Sequence, residues 1–353
     1  GKPAGLKKFR AADLVAWGNP AEATAAAQVV AADGSLLVGD VFRIADEHLT
    51  PTTESFDDGT GPLDAFRGII FQPPAERIER DKLLARFRDA KTKNDTVILT
   101  NGDELTGTVI GFARDSLKFK TEVGESEIGI GKVAALVLNP SLAAPPPKSR
   151  PFAMVGMNDG SLLAVRSLAI AAEDSSDAKL QIELAGGAKL KADSASGVVS
   201  LQPFGERATY LSDLEAYSYK HVPYLSLEWP YHRDANVVGG RLRAGGSLYT
   251  KGLGLHSTSR LAYRLDRPYA RLAAELAIDD SAGHRGSVVF RVYTTTGGEW
   301  KQAYESPVVR GGERPLPISV DIAGAKAVAL IVDYADRGDE LDHADWLNAR
   351  FEE

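Results

Sequence analysis

The chain contains no cysteine, which removes disulfides, thiolate nucleophiles and cysteine-bound zinc together. That absence leaves the compartment open. It also has no run of eighteen apolar residues, since the alanine-rich stretch Ala21–Ala27 is broken by Glu22 and Thr24, so no membrane-spanning helix is expected. An excess of positive charge is missing as well. The formal net charge is −7 and the pI about 5.5, which leaves no basic footprint for a nucleic-acid backbone. Finally, no Gly-x-Ser-x-Gly nucleophile motif accompanies the adjacent pair Asp342 and His343, so an acid/base reading of that pair has nothing to activate.

What is present is a globular chain of 353 residues, 44% hydrophobic and 25% charged. That is too long for one ordinary core and implies two to four domains. A pattern recurs three times in the first two hundred residues. Ala32-Asp33-Gly34-Ser-Leu-Leu-Val-Gly39 resembles Thr100-Asn101-Gly102-Asp-Glu-Leu-Thr-Gly107, and a third copy begins Asn158-Asp159-Gly160-Ser-Leu-Leu. Asp-Gly and Asn-Gly between alternating apolar positions are strong hairpin signals. Each copy closes at a similar distance with a β-branched run before proline: Gly68–Phe71 before Pro73, Ala134–Leu138 before Pro140, and Gly197–Leu201 before Pro203. Three all-β units, each a small barrel-like fold or a part of one continuous sheet, are expected.

The expected organisation is a first β unit with an N-terminal extension over 1–76, where Leu14 and Trp17 pack a turn onto it. A linker helix over 77–93 follows, with apolar residues at Ile78, Leu83, Leu84 and Phe87 behind Pro74. A second unit covers 94–142, a proline-rich linker 143–150, and a third unit 151–204. The repeats carry one histidine, His48, and acids placed mostly in turns. They read as a scaffold or protein-interaction surface.

From residue 205 the character changes, with three of the four tryptophans and five of the six histidines. The segment Tyr249–Leu265 runs from a polar glycine turn into alternating Leu261, Tyr263 and Leu265. A second dense segment, Asp333–Trp346, is rich in carboxylates. Short alternating runs at intervals of ten to twenty residues imply an antiparallel β-sandwich over 205–353.

The series Tyr-Leu-Ser-Asp-Leu (210–214), Lys-Gly-Leu-Gly-Leu-His-Ser (251–257), Ile-Asp-Asp (278–280), Gly-Ser-Val-Val-Phe-Arg-Val (286–292) and Asp-His-Ala-Asp-Trp (342–346) resembles the NPCBM carbohydrate-binding module family. The resemblance implies a galactose-binding-like jelly-roll sandwich, often attached to glycoside hydrolases, with members that bind terminal galactose. The preceding repeats look like those of planctomycete-type bacterial proteins. One departure concerns the turn after the Val-x-Val strand, where members commonly have Asp-Gly and this chain has Thr294-Thr-Thr-Gly-Gly298 before Trp300.

The expected function is therefore non-catalytic carbohydrate binding, of a galactose-type glycan, by a secreted or cell-envelope bacterial protein with no visible leader. The alternatives are a structural, protein-binding sandwich and a glycoside hydrolase-associated module. The candidate sugar-binding residues are Trp229, Tyr249, His256, Asp280 and Trp300. Aromatic rings offer a stacking platform for the apolar face of a pyranose. A neutral imidazole can exchange hydrogen bonds with sugar hydroxyls, or His256 fixes its own turn through the backbone. Galactose-binding-like modules frequently hold a structural calcium, and Asp333, Asp336 and Asp339 would supply hard oxygen ligands. Trp346 is expected between the sheets.

Overall fold

The computed structural model describes residues 14–39, 41–45, 47–113, 115–143, 152–171, 178–205 and 207–353. All but Ala143 of the expected proline-rich linker lies outside them. The chain divides into two compact units. One is Ala16–Phe204, and the other is Gly205–Glu353 together with Leu14 and Val15.

In the Ala16–Phe204 unit the three sequence copies build the same local structure. Gly34, Gly102 and Gly160 have φ of 89°, 90° and 93°, a left-handed conformation that glycine adopts without steric cost. Their N–H groups donate three residues back to Ala31, Leu99 and Met157. Ahead of each glycine, Asp33, Asn101 or Asp159 accepts the N–H two residues on, at 2.9, 3.1 and 2.7 Å. The closing runs become strands Phe66–Ile70, Val133–Val137 and Val198–Pro203. Among the described residues the unit forms one sixteen-stranded sheet.

The first and third copies pair with each other. Leu36 stands opposite Leu162, and strand Lys189–Ala192 runs antiparallel to Asp58–Pro62. Two wholly buried serines complete the junction reciprocally. Ser161 Oγ accepts the Val38 N–H, and Ser35 Oγ accepts the Ala164 N–H, both at 2.9 Å. In the second copy Asp103 and Glu104 occupy the corresponding positions and are exposed, with Glu104 held 2.8 Å from Arg86. Charge there blunts the edge that the other two copies use for pairing. Ser161→Ala leaves the buried Val38 N–H without its acceptor and is expected to cost about 1–3 kcal/mol, read from urea unfolding of the full chain. An unchanged midpoint would refute the role given to this hydroxyl.

The helix spans Arg77–Asp89. It does more than link. Leu83 and Phe87 are buried against Val30, Ile70, Ile98 and Ala135, so the helix covers part of the sheet, and Ile78 faces away, 62% exposed. Trp17 differs from expectation: its backbone bridges Leu201, in the third copy, by two 2.8 Å hydrogen bonds, because an extended chain end satisfies its polar groups best along a sheet.

The C-terminal unit is an antiparallel sandwich of two six-stranded sheets. One runs His232–Arg233, Gly252–His256, His343–Glu352, Arg271–Ile278, Leu316–Asp321, with Ala208–Tyr210 also on His343–Glu352. The other runs Ser218–His221, Ser259–Arg264, Ala327–Tyr334, Ser287–Thr295, Lys301–Glu305, with Val309–Arg310 on Ser287–Thr295. Alternation decides which side chains enter the core. Val288, Phe290 and Val292 meet Val328, Leu330 and Val332 there, with Leu253, Leu255, Leu276 and Trp346 from the opposite sheet.

Candidate functional site

Strand direction gathers the polar loops of the sandwich at one end. His221 pairs with Ser259, Ser259 with Val332, His256 with His343, Ile278 with Ala344, and Val288 with Tyr334. The segments 222–231, 257–258, 279–286 and 335–342 therefore all emerge at this end. Gly254 allows one more segment to lie close: a Cβ there would come within 2.5 Å of the backbone of Ala235 and Asn236.

At the centre of this end is a cluster of rings. The Trp229 indole lies nearly parallel to the His256 imidazole, with centroids 4.8 Å apart and planes 4° apart. His343 stands 6.0 Å from His256 and 6.2 Å from Trp229, and His221 is 5.9 Å from His256. The tryptophan is anchored by its backbone. Its N–H donates to His221 Nδ1 at 3.2 Å, and its carbonyl accepts from the Tyr219 hydroxyl at 2.6 Å. With Nδ1 an acceptor, His221 donates from Nε2 to the Ser257 carbonyl at 3.0 Å, and His256 donates to the same carbonyl from Nδ1 at 2.9 Å. His256 therefore keeps Nε2 as an acceptor.

Burial, the largest influence, holds the His256 and His343 imidazoles below the usual histidine range, so both are neutral near pH 7. His343 Nδ1 meets the Ser281 hydroxyl at 2.9 Å. Asp342, its neighbour in sequence, accepts from Ser257 Oγ at 2.6 Å and the Ser287 N–H at 2.7 Å. Burial outweighs these bonds and pushes the Asp342 carboxyl up to about 6. Beneath lies Asp279, which accepts from Asn236 Nδ2 and the N–H groups of Arg243 and Ser281 at 3.0, 3.0 and 2.8 Å. Fully buried Asp345 sits beside it, its carboxyl held well above the usual range by burial first and by the Asp279 charge second.

Of the residues expected from sequence, the fold joins Trp229 and His256 and separates the rest. Tyr249 is buried among Leu242, Ala244, Ala277 and Leu347, and its hydroxyl donates to Glu275 at 3.2 Å. Asp280 uses its two oxygens to accept the N–H groups of Gly245 and Gly246 at 3.0 Å each. Trp300, 42% exposed, follows strand Ser287–Thr295 at the end away from the cluster, roughly 25–30 Å off by strand rise. Asp333 is ion-paired with Arg291 and Asp336 with Arg310. No group of three His, Asp or Glu side chains suited to a metal ion occurs among the described residues. Asp339 has no ion-pair partner among them, and its charge acts on His256. Sequence reasoning missed His221 and Ser281, and no local spacing marks them, because they meet the cluster only through strand pairing.

The arrangement offers a partly buried indole, a neutral ring acceptor and, in Asp339, a carboxylate with no ion-pair partner among the described residues at one loop end. Comparison with known proteins bears on this end of the chain. A Renibacterium salmoninarum protein named for a proposed endo-alpha-N-acetylgalactosaminidase activity is 35% identical over 118 residues, which cover 33% of this chain and 8% of that protein. Alpha-1,3-galactosidase B of Akkermansia muciniphila is 33% identical over 119 residues, 33% of this chain and 14% of that one. The aligned part is thus a small share of either relative. Among solved structures, CBM51 from Clostridium perfringens GH95 in complex with methyl-galactose is 24% identical with a TM-score of 0.36, covering 41% of this chain and 99% of that one. CBM51-2 with the INT domains of Clostridium perfringens ZmpB, in complex with GlcNAc, is 26% identical with a TM-score of 0.37, covering 55% and 42%. The profile of the NPCBM/NEW2 domain matches residues 207–352, the span of the C-terminal sandwich.

Proposed function

We propose that the sandwich binds a galactose-type sugar at the Trp229–His256 end, outside the cell, without acting on it chemically. The observation that carries this reading is the partly buried Trp229, its ring parallel to the neutral, buried His256 imidazole, whose Nε2 has no hydrogen-bond partner among the described residues. A stacked indole takes the apolar face of a pyranose, and the His256 ring nitrogen and Asp339 accept from its hydroxyls. The buried acids Asp342, Asp345 and Asp279 have less than 2% of their surface exposed. They are therefore poorly placed to flank a scissile bond, which supports binding rather than hydrolysis. The repeats then serve as scaffold.

With few hydroxyl contacts and one ring, the dissociation constant is expected at roughly 0.1–1 mM. Titration of the full chain with galactose, followed by calorimetry, tests this. Trp229→Ala is expected to weaken binding at least tenfold, about 1.4 kcal/mol, and Trp300→Ala to leave it unchanged. No heat up to tens of millimolar sugar would overturn the reading. A protein-contact role is favoured by a different observation, the exposure of Leu225 (83%) and Leu227 (64%) in the loop before Trp229. That reading gains if galactose fails to bind.

A further inference from the structure

The loop 335–341 forms part of the wall of a concavity of about 210 Å³, lined by His284, Arg285, Arg310, Asp336, Arg337 and Glu340. It is smaller than the roughly 300–1,000 Å³ of pockets that enclose whole drug-sized ligands, so it suits one substituent of a sugar. Three guanidinium groups meet two carboxylates in it. Arg285 pairs with Glu340 at 3.2 Å and Arg310 with Asp336 at 2.5 Å. Arg337 is left over, with no hydrogen-bond or ion-pair partner among the described residues. The pocket lining therefore carries one positive charge in excess, with the unpaired Asp339 carboxylate outside it on the same loop.

Its walls are tied together. Ser287 Oγ donates to the Asp336 carbonyl at 3.0 Å and accepts the Asp336 N–H at 2.9 Å, and the Gly311 N–H donates to the Gly286 carbonyl at 3.2 Å. Arg337 itself has φ of 61°, and Leu341 54°, a left-handed backbone that costs non-glycine residues energy. The same loop borders the segment 222–231 that carries Trp229. Gly338 lies against the Tyr224 ring, and Asp339 acts on His256. Arg337 and Asp339 are two residues apart, at most about 7 Å along the backbone.

We propose that the sugar taken by this end is acidic, bearing a sulfate ester or a carboxylate that Arg337 receives while the ring rests on Trp229. The inference builds on the carbohydrate reading above and adds the charge of the ligand. A guanidinium binds either anion through paired N–H donors.

The test is titration of the full chain with galactose, galactose 6-sulfate, galacturonate and inorganic sulfate. The expected result is an anionic sugar bound about five- to tenfold more tightly than galactose. That advantage shrinks as salt rises from about 0.1 to 1 M, where the screening length falls from about 10 to 3 Å. Arg337→Ala abolishes the advantage and leaves galactose affinity unchanged, whereas Trp229→Ala weakens all three sugars. Which acidic sugar binds more tightly identifies the anion. If galactose and both acidic sugars bind alike, or if Arg337→Ala keeps the advantage, the inference falls while sugar binding stands. If only the acidic sugars bind, and through Arg337, the inference stands and the neutral-galactose reading falls. Binding of inorganic sulfate as tight as that of galactose 6-sulfate marks an adventitious ion only and overturns the inference.

Discussion

Asp345→Asn is expected to stabilise the sandwich relative to the parent chain by an amount that grows with pH, by about 1.4 kcal/mol for each unit. Asp345 is wholly buried, and burial first and the neighbouring Asp279 charge second hold its carboxyl well above the usual range. In the unfolded chain the same group ionises near 3.8. The folded state therefore binds one more proton than the unfolded state throughout the window between these values. The stability carried by the acid form is complete below pH 3.8 and is lost progressively as pH rises towards the folded value. Asparagine has no proton to lose, so the gap between variant and parent keeps widening with pH until the folded value of Asp345 is reached.

Other groups titrate in the same range. Asp342, pushed up to about 6, also loses stability as pH rises towards that value. His256 and His343, held low by burial, act oppositely and cost stability as pH falls below 6.5. All three are present in both chains and cancel in the difference. Urea unfolding of the two proteins at pH 5, 6 and 7 measures it. A difference that does not change with pH would show that Asp345 ionises inside the fold.

The parts legible in the sequence are those fixed by neighbours in the chain. The Asp-Gly and Asn-Gly turns fold as read, because the side chain at one position and the positive φ at the next are local requirements. The helix follows from its apolar spacing, and Trp346 lies between the sheets as expected of an aromatic in a sandwich. What resisted reading depends on partners brought from afar. Nothing local in Ser35 or Ser161 announces that each will satisfy an N–H of the other copy. The three-residue spacing of Asp333, Asp336 and Asp339 suggested a shared ion, but Arg291 and Arg310 arrive from other strands and take the first two. Asp280 and Tyr249 were sound as chemistry and are committed to a glycine turn and to Glu275. His256 shows both sides of the problem at once. It fixes its own turn through Ser257, and the same bond leaves its other nitrogen available to a ligand.

Trp346→Ala is expected to cost the sandwich about 3–5 kcal/mol, the range for a large aromatic removed from a core. The ring is wholly buried, opposite Leu253 on one neighbouring strand and Leu276 on the other. It meets Phe290 of the facing sheet edge-on, at 5.1 Å and 89°, a geometry that adds about 0.5–1.5 kcal/mol to simple burial. Against a total stability of about 5–15 kcal/mol, the loss is a large share, and it lowers the melting temperature of a domain of this size by roughly 10 °C. The indole N–H has no acceptor among the described residues, so part of the ring's benefit is already offset by a desolvated donor. Trp346→Phe removes that donor while keeping an aromatic against Phe290, and its cost is expected to be well below that of alanine, about 1–2 kcal/mol. Because His343 starts the strand that carries Trp346, the alanine variant is also expected to lose sugar binding as the ring cluster slackens. Calorimetric unfolding of both full-length variants decides this. Equal costs for alanine and phenylalanine would mean that the edge-on contact and the buried ring do not hold the two sheets together.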